Sequence, residues 1–225
     1  MLQNGTRMVS PDQTSASFAL GTANAVGQTT FPGTEALTRY TDFADPNSPY
    51  YSWNASMPND IQAFADGKVA MIFGFEYDNL ILKQIAPTLN YQAMSLPQVR
   101  DTDTPVDYAS YWVETVTKNA DNPDLAWQVV RDLALQMGGQ YRSATGRPDP
   151  SPVVSVPSAL DRSNPLDPFS FQQQTATSWY KSKRPDKIDT IFHDLIQHVG
   201  TKQQQPQNAI EAAAQQVTQI LQKEQ

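Results

Sequence analysis

Residues 59–85, NDIQAFADGKVAMIFGFEYDNLILKQI, decide how the chain is read. Asn59 or Asp60 supplies a helix cap ahead of Ile61, Phe64 and Ala65, and Gly67 supplies the left-handed residue that ends so short a helix. The run from Val69 to Phe73 is apolar without inside–outside alternation, which is the pattern of a strand covered on both faces in an α/β sheet. Gly74 marks the strand's exit and Asp78 is placed to cap the next helix. Ile81, Leu82 and Ile85 form that helix's apolar stripe before Pro87 closes it. GFEY is therefore a strand-to-helix loop carrying two aromatics and a carboxylate. In open α/β sheets ligands bind at the carboxyl ends of strands, beside the free amides of helix N-termini, so this turn is a candidate site.

Working outward, GTEALTRYTDFA (33–44) sets Ala36, Leu37, Tyr40, Phe43 and Ala44 at helical spacing. The proline-rich loop that follows it carries Tyr50, Tyr51 and Trp53. On the other side, YQAMSLP (91–97) reads as a further strand and YASYWVETVTK (108–118) as extended structure rich in β-branched and aromatic residues. NPDLAWQVVRDLALQMGG (122–139) has the strongest helix signals in the chain, with Asn122 at the cap and Pro123 at the first position. Its predicted buried stripe is Leu125, Ala126, Val129, Val130, Leu133 and Met137. Residues 144–169 hold six prolines and read as an extended surface path. Two closing helices carry stripes at Ile188, Ile191, Phe192, Leu195 and Val199, and at Ile210, Ala213, Val217 and Leu221.

Composition narrows the chemistry. With 225 residues the chain has room for a substantial core, and a net charge of −7 without a basic run argues against a nucleic-acid partner, whose phosphates require clustered Lys and Arg. Cysteine is absent, which excludes disulfides and thiolate chemistry. The two histidines, His193 and His198, are five apart, so a helix turns them roughly 140° from each other and they cannot share a metal. No cofactor and no metal is expected. No apolar run approaches the roughly 20 residues of a membrane span, and MLQNGTRMVS does not open like a signal peptide.

Four stretches, AFADGKVAMIFG, LNYQAMSLPQ, VTKNADNPDLAWQVVRDL and IFHDLIQHVGTKQQQPQNAIEAAAQQVTQIL, in that order and at family-like separations, resemble the carboxyl-terminal half of the extracellular solute-binding proteins of family 1. These are carbohydrate-binding receptors of ABC importers, related to maltose-binding protein. The resemblance implies a periplasmic-binding-protein-like type II α/β fold of two lobes with crossing hinge strands, here in an incomplete version. It assigns residues 1–95 to the first part of the carboxyl-terminal lobe, 96–163 to a returning segment of the amino-terminal lobe, and 164–225 to the closing helices of the carboxyl-terminal lobe. MLQNGT resembles a mid-protein stretch of the family, so a signal peptide and any lipid anchor are expected upstream of residue 1. The implied function is non-catalytic: a monomer at the cell surface or in the periplasm binds a carbohydrate or similar polar solute in an inter-lobe cleft and delivers it to ABC permease subunits. A carbohydrate-active enzyme and a surface interaction domain with a degenerate cleft are the alternatives, and no carboxylate pair singles itself out for the former.

Sugars offer C–H faces and hydroxyl rims, so a site needs aromatic plates beside carboxylate or amide partners. By position after the strand, Tyr77 best matches the aromatic that the family carries there, with Phe75 as the alternate and Glu76 as a hydroxyl acceptor. Glu76 is equally explained as a solvated side chain, and Tyr77 as a core residue. Trp53 and Tyr51 are candidates of the same kind, set against a role in capping the core. Trp179, before the first closing helix, either reaches the ligand or staples that helix to its lobe. Trp112 either faces the cleft or sits in the core.

Overall fold

A computed structural model describes residues 1–24, 26–99, 105–110, 113–136 and 167–224. The chain packs as two units: residues 1–58, 98–106 and 178–225 form unit 1, and residues 59–97 and 107–177 form unit 2.

Unit 1 is built on three helices, α1 (Pro32–Asp42), α6 (Pro185–Gly200) and α7 (Pro206–Gln222). Each opens with proline at its start, where the missing N–H is no loss and the fixed φ favours the first turn. The stripes expected of the two closing helices are the ones that pack. Ile188, Leu195 and Val199 of α6 and Ile210, Ala213, Val217 and Leu221 of α7 are buried together with Leu37 of α1. Ile210 and Val217 are wholly enclosed, and each such side chain contributes about 1.5–3 kcal/mol. Phe18, from the segment before α1, fills the centre of this cluster, its ring 5.1 Å from that of Phe192. The same segment is held to α7 by the Ala16 N–H, which donates to Thr218 Oγ1 at 3.0 Å. A short antiparallel ladder, β1 (Thr22–Ala23) with β2 (Thr29–Thr30), turns through Gly27 at φ +79° and leads into α1.

Unit 2 holds α2 (Asp60–Ala65), α3 (Asp78–Ile85), α4 (Pro123–Gln136) and α5 (Asp167–Gln172). A parallel ladder pairs β3 (Asp107–Tyr108) with β4 (Ala176–Thr177). Asn59 caps α2 as expected, its Oδ1 accepting from the N–H groups of Ile61 and Gln62 at 3.1 and 3.4 Å. At the other end Gly67, at φ +70°, donates to Phe64 O while Lys68 donates to Ala63 O, which satisfies two carbonyls that the helix would otherwise strand. Asn59→Ala should therefore cost about 1 kcal/mol and Asn59→Gly only a few tenths, read as faster amide exchange across α2. Leu82 and Asn79 of α3 are buried, and the Tyr91 hydroxyl donates to Asn79 Oδ1 while its ring meets Phe64 edge-on.

Three sequence expectations change here. The run 69–73 forms no ladder among the described residues, and Met71 and Phe73 are 84% and 75% exposed rather than covered on both faces. Residues 91–97 likewise form no strand among the described residues, and the Leu96 N–H donates to Gln172 Oε1. Helix α4 forms where predicted, with Asn122 Oδ1 accepting from the Leu125 N–H at 3.1 Å, but Leu125, Val129 and Leu133 of its apolar stripe are exposed. The common reason is that apolar patterning records what a segment is able to bury, whereas burial needs a partner surface, and the described residues place none over these. Met137, Trp112 and residues 144–166 lie outside the described residues. No helix among the described residues is long and apolar enough to cross a membrane.

Candidate functional site

The GFEY turn is set by two residues. Asp78 occupies the first position of α3, with Tyr77 at the cap, so it does not cap the helix as the sequence predicted. Its carboxylate instead reaches back to accept from the Phe75 N–H at 2.7 Å, while its own N–H donates to Phe75 O at 3.0 Å. This reciprocal pair closes the turn. Gly74 leaves room for it: a Cβ there would lie 2.8 Å from Asp78 Oδ2, and the carboxylate would have to shift. The rings of Phe75 and Tyr77 are open to solvent at 50% and 59% exposure, and Glu76 between them is half-buried.

Tyr108, on β3, extends this aromatic surface, its ring 6.2 Å from that of Phe75 at 58°. Sequence reasoning did not select it. The available signal was its place at the head of an aromatic extended stretch, YASYW, but its approach to Phe75 depends on the β3–β4 pairing, which the sequence does not locate. Two aromatic faces and a neighbouring phenol with a carboxylate between them supply stacking surface together with hydroxyl acceptors, the groups a polar, ring-shaped ligand requires.

The remaining candidates fall in unit 1. Tyr51 and Trp53 lie on the loop after α1, which folds back so that the N–H groups of Ser52 and Trp53 both donate to Phe43 O, at 2.9 and 3.1 Å. Asn54 donates to the Tyr51 hydroxyl at 2.8 Å, and Trp53 is half-buried. Trp179 packs against the helical core with its ring 5.6 Å from that of Phe192, and Lys181 Nζ lies 6.0 Å from the Trp179 ring. The six candidates thus form two groups, Phe75, Glu76 and Tyr77 in unit 2 and Tyr51, Trp53 and Trp179 in unit 1. Among the described residues no group of three His, Cys, Asp or Glu side chains is placed to hold a metal.

This arrangement of helices and short ladders falls in the periplasmic-binding-protein-like α/β class. Over 98% of its length the chain superposes, with a TM-score of 0.63 and 19% sequence identity, on an ABC transporter solute-binding protein from Thermotoga lettingae TMO, whose crystal structure holds alpha-D-tagatose. The chain spans about half the length of that protein, covering 54% of it. The family of bacterial extracellular solute-binding proteins matches residues 2–139, and the chain belongs to that family. No curated protein matches the sequence.

Proposed function

We propose that this chain is the solute-recognising part of an ABC importer, working outside the cytoplasmic membrane and binding a carbohydrate or similar polar solute without acting on it chemically. The observation that carries the reading is the turn at 74–78, where Asp78 closes the backbone so that Phe75 and Tyr77 are exposed, with half-buried Glu76 between them and Tyr108 beside Phe75. Membership in a family of solute-binding proteins, and a fold shared with a relative that holds a ketohexose, support the same reading. In it Tyr77 and Phe75 stack on the C–H face of the sugar and Glu76 accepts from its hydroxyls. Permease subunits of the importer are the partners that receive the solute.

The test is calorimetric titration of the chain with D-tagatose and with maltose, alongside thermal melting without sugar. Tyr77→Ala should weaken binding about fivefold, the equivalent of about 1 kcal/mol of stacking, and leave the melting midpoint of the free protein unchanged, because an exposed ring leaves no dry cavity behind. A stability loss of about 3 kcal/mol or more with unaltered affinity would put Tyr77 in the core instead.

A further inference from the structure

The polar face of α1 forms the floor of an open trough of about 840 Å³ in unit 1 that the reading above does not use. Glu35, Arg39 and Asp42 line this floor in the order minus, plus, minus. Among the described residues their side chains make neither an ion pair nor a hydrogen bond, so their donors and acceptors remain available to a ligand. Phe31 stands at the N-terminal end of the helix and Phe43 at its C-terminal end, about 18 Å apart at 1.5 Å per residue. Tyr50 joins Phe43 because the loop after α1 doubles back onto the helix end, and its exposed ring lines the same trough. The side wall is fixed: Thr34 on α1 donates to Gln207 Oε1 on α7 at 2.7 Å.

A solvated helix face with an i, i+4 pair would account for Glu35 and Arg39 alone. It leaves unassigned three aromatic rings that line the same trough, Phe31, Phe43 and Tyr50, which keep 39%, 49% and 62% of their surface open to it. A planar guanidinium offers paired donors and the flanking carboxylates offer acceptors, a set matched to vicinal hydroxyls, while the terminal rings are matched to the C–H faces of pyranose units. The length between the rings excludes a single sugar as the ligand that spans them.

We infer that this trough is a second carbohydrate site, which takes a linear oligosaccharide with its end units on Phe31 and on Phe43 and Tyr50 and its hydroxyls on Arg39, Glu35 and Asp42. The inference goes beyond the proposed solute site, which lies on a turn of the other unit and shares no residue with it.

The test is saturation-transfer NMR and calorimetry on the chain with maltopentaose, cellopentaose and glucose, the pentasaccharides being long enough to place their end units on both sets of rings. At least one pentasaccharide is expected to bind more tightly than glucose, with Tyr50→Ala and Arg39→Ala each weakening it about tenfold and leaving the circular dichroism spectrum and melting midpoint unaltered. Absence of binding by both pentasaccharides, or affinity unchanged in both variants, overturns the inference. So does a pentasaccharide signal that disappears in Tyr77→Ala but persists in Tyr50→Ala, which would assign the binding to the aromatic turn. Failure of the turn reading is seen separately, in the response of D-tagatose and maltose to Tyr77→Ala.

Discussion

Phe18→Ala should cost unit 1 about 3–5 kcal/mol, a large fraction of the stability of an ordinary domain. The ring is wholly enclosed (0% exposed) among side chains from α1, α6 and α7, so its removal takes away both transfer free energy and the contacts of every wall that faced it. Three helices cannot collapse onto the space together, since Ile188, Ile210 and Val217 are themselves fully buried. Urea unfolding followed by amide exchange in α7 measures the loss. Met71→Ala is the matched comparison: at 84% exposure it should change stability by no more than about 0.5 kcal/mol. Were residues 69–73 buried on both faces, as their composition indicates, that substitution would cost about 2–5 kcal/mol. The pair of variants thus tests both the location of the core and the principal correction to the sequence reading.

What was legible in the sequence is what local chemistry decides. Helices α1, α6 and α7 lie where periodicity placed them, and α2 and α4 where periodicity and the caps Asn59 and Asn122 did, because those side chains accept from amides within their own first turn. The turn at Gly74 was legible for the same reason, although Asp78 serves Phe75 rather than the start of α3. Pairing is not local. The apolar run at 69–73 carries the composition of a covered strand, but which backbone would lie beside it is not encoded within the run. The approach of Tyr108 to Phe75 and the convergence of Phe31 and Tyr50 on one trough likewise arise from segments brought together by the fold. Phe18 was missed because it lies on no periodic element: a single aromatic in an irregular segment has no stripe to announce that it is the centre of a core.

Gly33→Ala should destabilise unit 1 by about 3 kcal/mol, against the usual sign for a helix. Within a helix alanine is favoured over glycine by about 0.8–1 kcal/mol, so propensity alone predicts a gain at this second position of α1. Steric contact opposes it. A Cβ built on Gly33 would lie 1.9 Å from the carbonyl oxygen of Phe18 and 3.2 Å from Ile210 Cδ1. The first neighbour is backbone, and it cannot step aside without drawing Phe18 out of the core that it centres. Overpacking of that kind costs about 1–3 kcal/mol and at times more, and here the strain falls on the junction of three helices, so the steric term exceeds the propensity term. Gly200→Ala provides the control at the last residue of α6, where a Cβ would meet nothing within 4 Å and only the propensity gain remains. Urea midpoints of the two variants should therefore move in opposite directions. If Gly33→Ala instead raised the midpoint, α1 would not approach the Phe18 backbone so closely, and the close packing that makes Phe18 the centre of unit 1 would be wrong as well.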